Sequence, residues 1–267
     1  MGKHLMAPRS SHLTPGLPSR FFAAFIVLFL LGPIFIAGVV AFSSGNRLEF
    51  PIPGFSLRWF ATALAKPQYI EGLTASVIIG IGNAILATIA GTGAALALNH
   101  YRFRGRSLIQ ALVMLPIAMP AIVLGLGLLF TLAMYDMQPG LLAGVVGHAV
   151  LGVPYVVAMV TAALSNYDRS VERASMNLGV GPIMTFFKIT LPLIRGGVIA
   201  GAVSAFLISF DNISLSLFIT RGDTLPLRLM QQLLAYADPS VAAISTLLVL
   251  VSLAVMLLLL PLALRKR

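Results

Sequence analysis

Few residues in this 267-residue chain could do chemistry. His148 and Ser209 make a conceivable base and nucleophile, and Asp211 is an acid inside the apolar run "FLISFDNISLSLFI". No G-x-S-x-G or comparable setting surrounds Ser209, and a lone histidine in an apolar segment ordinarily serves packing. The four histidines, His4, His12, His100 and His148, lack metal-ligand spacing, so no metal site is expected. Without cysteine there is no disulfide, thiolate metal site or cysteine nucleophile. No G-x-x-x-x-G-K-[ST] phosphate loop occurs, and none of the four lysines has suitable flanks. Any ATP dependence must therefore come from a partner. No catalytic residue and no cofactor bound by this chain is expected.

The elements that position these residues lie in a membrane. Hydrophobic residues make up 58% of the chain and charged ones 10%, with mean hydropathy +0.97, whereas soluble domains carry about 25% charged residues. A spanning helix needs about 20 apolar residues. The expected spans are 21–42, 72–98, 108–135, 140–164, one within 196–220, and 241–264. The first exceeds the apolar run of a cleaved signal and has no clear A-x-A site, which favours a retained helix. The fold expected is thus all-α and polytopic, with six transmembrane helices. A single membrane domain, 21–264, is flanked by tails 1–20 and 265–267. Glycine spacings such as Gly80/Gly82 and Gly140/Gly144 allow close helix packing; a dinucleotide fingerprint would need a preceding strand.

Six spans put both termini on one side, which then carries 13 of the 18 Lys and Arg residues. That asymmetry makes the side cytoplasmic. The formal net charge of +10 is therefore a topology signal, and no nucleic-acid partner is expected. On the outer side, "FPIPGFSLRWF" resists a long helix and offers Phe55, Trp59 and Phe60 to a membrane interface. A short amphipathic helix is expected over 226–236, with Pro226 at its first position.

If the fifth span starts near Gly196, Asp211 lies about 22 Å along it at 1.5 Å per residue. An ionised aspartate near the bilayer centre costs about 2.5–3.5 kcal/mol, so it should face a bundle interior or aqueous path. Two readings fit: a carboxylate contacting a cationic substrate, or a polar tie or cap at an unwound helix end. In the third span Pro116 and Pro120 share a helix face, which fits a kinked helix, lining a pathway or merely structural.

The longest internal cytoplasmic loop, 165–195, contains "ASMNLGVGPIMTFFKITLPLIRGG". A short helix there should end at Gly179, suited to the left-handed position after a helix. A second should start at Pro182 and stop at Pro192. Phe186, Phe187 and Ile189 then need burial, on the bundle's inner end or on another protein. This pattern resembles the cytoplasmic E-A-A-x-x-x-G loop of ABC-importer permeases, followed by I-x-L-P. The chain reads Arg173-Ala174-Ser175, three residues, Gly179, then Ile189-Thr190-Leu191-Pro192. Arg173 stands where the motif usually has glutamate, with Glu172 just before it, and Ser175 replaces the second alanine. "GFSLRWF", "RFRGRSLIQALVMLP" and "SFDNISLSLFI…TLPLRL" are similar to the second permease of the polyamine (spermidine/putrescine) branch. Members of that branch often carry paired acids where this chain has Asp211-Asn212.

The resemblance implies a MetI-like permease bundle in a bacterial inner membrane, multi-pass with both termini cytoplasmic. The implied partners are membrane lipid, a second permease subunit, two ATP-binding subunits that use ATP-Mg, and an extracytoplasmic substrate-binding protein. Asp211 and Asn212 would line the substrate pathway. Glu172, Arg173, Ala174, Ser175, Gly179, Leu191 and Pro192 would serve ATPase coupling, with helix 170–178 seated in an ATPase groove. The alternative is a self-sufficient secondary transporter or channel, which would need an ion-coupling site; one intramembrane carboxylate without an internal repeat supports that poorly.

Overall fold

A computed structural model describes residues 17–165 and 167–264. The expected basic residues of the two tails, Lys3, Arg9 and 265–267, lie outside the described residues. In chain order the helices are α1 (Leu17–Ala41), α2 (Arg58–Ala65), α3 (Pro67–His100), α4 (Arg106–Ala118), α5 (Ala121–Met134) and α6 (Leu141–Ser165). Then follow α7 (Ser170–Asn177), α8 (Pro182–Thr185), a π-helical turn (Phe186–Thr190), α9 (Leu191–Phe210), α10 (Ile213–Ile219), α11 (Leu225–Ala235) and α12 (Ser240–Leu264). No strand occurs among the described residues; Ser43 and Phe55 make an isolated bridge. The protein is all-α and polytopic, as composition and hydropathy require.

Among the described residues, four helical stretches are long and apolar enough to cross a membrane: Leu17–Ala41, Pro67–His100, Leu141–Ser165 and Pro182–Phe210. The pair α4 and α5 makes a fifth if counted as one span, although it bends by 107°. The last helix contributes a shorter apolar stretch, Ser240–Ala254.

The chain forms two compact units, divided at Ala63/Leu64 and at Tyr236/Ala237. In the smaller, α1 packs along α12. The loop after α1 has no helix until Arg58, consistent with its prolines and glycine. Arg58 ties it together, donating to the carbonyls of Ser44 and Gly45 at 2.6 and 2.7 Å and stacking over Trp59.

The larger unit is built around α3, α6 and α9. Their shared core holds Ala87, Ala95, Leu98, Val156, Val160, Leu164, Ile194 and Ala205. Small residues let these helices approach closely, the main source of helix association inside lipid. Val156 of α6 fits between Gly91 of α3 and Gly201 of α9, where an added Cβ would come within 2.7 and 3.0 Å of it. Gly80, Gly82 and Gly144 are also close-packed, whereas Gly140 faces open space. Fully buried Asn83 of α3 donates from Nδ2 to the Ala205 carbonyl of α9 at 2.6 Å, a polar tie within this apolar seam. At one end of the unit, α11 packs on the start of α3: the Leu225 amide donates to Ser76 Oγ at 2.9 Å, and Arg228 pairs with Glu71 at 3.2 Å. Pro226 sits in the first turn of α11, where no backbone donor is needed.

Candidate functional site

The fifth span breaks at Asp211-Asn212. Helix α9 ends as Asp211 leaves ideal helical geometry (φ −95°, ψ −1°). Asn212 is extended (φ −82°, ψ 103°), and its Oδ1 accepts the Leu215 amide at 2.7 Å. That is an N-cap, satisfying one of the amides orphaned when a helix restarts. The cap considered for Asp211 is therefore supplied by its neighbour. Asn212 does the capping, while the Asp211 side chain is exposed and makes no hydrogen bond or ion pair among the described residues.

Across from the break lies His148, on α6 and 1% exposed. Its Nδ1 is 2.9 Å from Ser209 Oγ on α9, and its Nε2 is 3.2 Å from Ser216 Oγ on α10. Ser216 donates its only hydroxyl proton to the Asn212 carbonyl at 2.7 Å. It must therefore accept from His148, so the imidazole carries its proton on Nε2 and accepts the Ser209 proton at Nδ1. The Ser–His pair conceivable from sequence exists, but its second ring nitrogen faces a hydroxyl rather than an orienting carboxylate. Ser209 is itself buried. The group bridges helices; it has no access for a substrate.

The third span breaks for a plain steric reason. A residue before proline is pushed out of the helical region, and Met119, before Pro120, is extended (φ −89°, ψ 140°). Pro116 is tolerated inside α4. After the break α5 runs against α10. Gly125 permits that approach, since a Cβ there would meet Phe218 at 2.8 Å and the Ser214 carbonyl at 3.3 Å. The helices that follow the two breaks thus pack on each other. Leu215 and Ile219 of α10 lie in a cluster with Leu124, Leu128 and Leu132 of α5 and Leu151 of α6.

The interrupted loop folds into a compact hairpin. The Asp168 carboxylate accepts the Ser170 amide at 2.9 Å and hydroxyl at 2.6 Å at the start of α7; these bonds hold it below the usual carboxylate range. Gly179 has φ +82°. Its amide donates to the Met176 carbonyl at 3.0 Å, and that of Val180 to Ser175 at 3.2 Å. This is the paired Schellman closure. The chain restarts at Pro182, but Pro192 does not stop it. Between them the helix widens into a π turn in which the Leu191 amide reaches back to Phe186. Proline lacks an amide donor, and it sits in the first turn after this widening, so the helix runs unbroken from Pro182 to Phe210. The expectation of a stop is corrected.

Helix α7 presents two faces. Glu172 and Ser175, three apart, turn inward and are buried. Glu172 accepts a hydrogen bond from Thr190 of the π turn and lies within 4.0 Å of His100 and Arg169. Ser175 and Thr185 of α8 share a hydrogen bond at 3.0 Å. Arg173 and Ala174 face outward. Leu191 is half-buried and Pro192 exposed. The apolar side chains that needed burial find little within this chain: Phe186 and Ile189 are half-covered, but Leu178, Ile183 and Phe187 are 85%, 75% and 59% exposed. Beside them lies a groove of about 750 Å³ between the end of α3 and the hairpin. Sequence reasoning missed Thr185, Thr190, His100 and His148's role as a bridge. The threonines left a faint signal, as polar residues flanking "FFKI", which is apolar but for Lys188.

The profile of the family described as "Binding-protein-dependent transport system inner membrane component" matches residues 87–267, which contain the hairpin and both breaks. The chain is 30% identical over 228 residues to the putrescine transport system permease protein PotI of Escherichia coli (strain K12), covering 82% of this chain and 81% of that one. It is 30% identical over 247 residues to the spermidine/putrescine transport system permease protein PotC of Haemophilus influenzae, covering 90% and 96%. Among solved structures, a chain of a bacterial ABC transporter involved in the import of the acidic polysaccharide alginate superposes with TM-score 0.69. It is 14% identical, with 97% of this chain and 98% of that one covered, a likeness of fold.

Proposed function

The chain belongs to the family of binding-protein-dependent transport system inner membrane components, and from that premise we propose that it forms half of the translocation pathway of an ATP-driven importer for a small cationic solute of the polyamine class. The observation that carries the substrate class is Asp211. It is a carboxylate without a partner among the described residues, at a break in an apolar helix where an ionised group needs a counter-ion. The similarity to putrescine and spermidine/putrescine permeases supports the same reading.

In this reading a second permease completes the pathway, an extracytoplasmic binding protein delivers the solute, and two ATPase subunits supply the work from ATP-Mg. The positive-inside bias sets the hairpin and both termini on the cytoplasmic side of a bacterial inner membrane. Outward-facing Arg173 and Ala174, the Gly179 turn, and exposed Leu178 and Ile183 meet an ATPase subunit. Inward-facing Glu172 and Ser175 bind α7 to the start of the fifth span, with Leu191 and Pro192 just beyond. Motion of α7 then reaches Asp211 through α8 and α9.

The test is purification of the tagged chain from its own membranes, followed by reconstitution. An ATPase subunit and a second permease should co-purify, and putrescine uptake should require ATP and the binding protein. Uptake by this chain alone, driven by an ion gradient, would overturn the assignment in favour of a secondary transporter.

A further inference from the structure

The fifth span is broken where a continuous helix would satisfy every backbone group without help. A break in an apolar environment leaves orphan amides and carbonyls and a soft joint, so something must fix the direction of the chain beyond it. Asn212 caps one amide, but a cap is local and does not set where α10 points.

His148 spans the joint. One ring nitrogen takes the last turn of α9 at Ser209, the other takes α10 at Ser216, and Ser216 passes the chain of donors on to the Asn212 carbonyl inside the break. The order runs one way, Ser209 to His148 to Ser216 to Asn212, and uses the single proton of each member. Both serines are 5% exposed or less. No water replaces a lost partner cheaply there, and an unsatisfied buried polar group is costly.

We propose that His148 is a positioning residue for transport: it clamps α9 and α10 at a fixed angle and so holds the Asp211 carboxylate toward the pathway. The orientation of Asp211 rests on the proposed function; the clamp does not. The recognising chemistry is one acceptor and one donor about as far apart as the two nitrogens of an imidazole. A glutamine carboxamide offers the same acceptor–donor pair; leucine offers neither.

The experiment reads the placement of α10 directly, in the assembled transporter. The chain has no cysteine, so the substitutions Leu128→Cys and Ile219→Cys introduce its only thiols. Both native side chains lie against Gly147, where α5 meets α10. A membrane-permeant bis-maleimide should link the pair, read by mass spectrometry of the linked peptides. Adding His148→Gln should leave the rate near that of the parent. Adding His148→Leu should slow it about five-fold or more, the population change expected when two hydrogen bonds are lost. Ser216→Ala should slow it to a lesser degree, and it decides the matter if the leucine variant does not assemble. An unchanged rate in both His148→Leu and Ser216→Ala overturns the clamp, as does equal slowing by leucine and glutamine, which would assign the site to packing. A parent pair that does not link overturns the packing on which the clamp depends. Separately, uptake kinetics of Asp211→Asn test the pathway reading, so either idea can fail alone.

Discussion

Gly179 should be the most informative single position in the cytoplasmic hairpin. Its φ of +82° lies in the left-handed region, which costs an ordinary L-residue roughly 1–2 kcal/mol. A Cβ added there meets nothing within 4 Å. The whole intramolecular penalty of Gly179→Ala is therefore backbone strain. The chain can relieve it by opening the Schellman turn, losing two hydrogen bonds of 3.0 and 3.2 Å, worth about 0.5–1.5 kcal/mol each. Strain and relief are comparable, so alanine divides the hairpin between strained and opened forms. A β-branched residue tolerates this region less well, and Gly179→Val should move most molecules to the opened form. Asparagine visits the left-handed region readily. In reconstituted transporter, solute imported per ATP hydrolysed should fall roughly 5–30-fold for Gly179→Val, the effect of 1–2 kcal/mol. It should fall less for Gly179→Ala and stay near the parent for Gly179→Asn. Normal coupling in Gly179→Val would refute the argument. If Gly179→Asn were as poor as Gly179→Val, the cause would be crowding against a bound subunit rather than backbone conformation.

Two further outcomes follow from the same geometry. Asp211→Asn removes a charge without a partner among the described residues, so assembly and melting temperature should shift little, about 0.5 kcal/mol or less. KM for putrescine should rise about ten-fold or more, the loss of one charge-assisted hydrogen bond; an unchanged KM would return Asp211 to a structural role. Glu172→Ala strips Thr190 of its acceptor and should destabilise the hairpin by about 1–3 kcal/mol. Limited proteolysis within 165–195 would reveal this, and Glu172→Gln, which still accepts from Thr190, should be milder.

Features encoded by one residue's own stereochemistry were readable from the sequence. Gly179 ends α7 as a left-handed cap and Pro182 starts the next helix. The prolines of the third span pointed to a kink with both on one helix face; the helix instead breaks between them, because the residue before a proline leaves the helical region. Hydropathy located the other apolar helices to within about five residues, because burying backbone in lipid leaves helices as the available solution for such a chain; the fifth span, expected within 196–220, instead runs over Pro182–Phe210 and breaks at Asp211-Asn212. Features set by partners distant in sequence were not readable. Pro192 looked like a stop because its missing donor was counted against an α-helical ladder, and a π turn removes that conflict. Whether Glu172 or Arg173 anchors α7 is decided by helix phase: Glu172 shares its inward face with Ser175, and Arg173 falls on the other side. His148 gave no sign of bridging, since its partners lie 61 and 68 residues away on elements whose packing depends on the break itself.

That the helix runs on through Pro192 has a mechanical consequence. Two helices separated by a stop would decouple the hairpin from the span, as a flexible joint absorbs displacement. One helix from Pro182 to Phe210, 29 residues, is about 43 Å long at 1.5 Å per residue and carries displacement from end to end. Helix α7 is braced to its first part twice, Ser175 to Thr185 and Glu172 to Thr190, five residues apart. Two ties resist rotation where one would act as a pivot. At the far end the helix stops at Asp211; the Asn212 amide bonds back to the Ser209 carbonyl at 3.3 Å, and a side-chain bridge from that last turn to α10 passes through His148. A push on α7 therefore meets no loose joint before Asp211. The soft elements are the π turn, which is laterally braced, and the break, which is clamped. Such an arrangement would deliver motion to one dipeptide, which is where a carboxylate with no partner among the described residues would be useful to a passing cation.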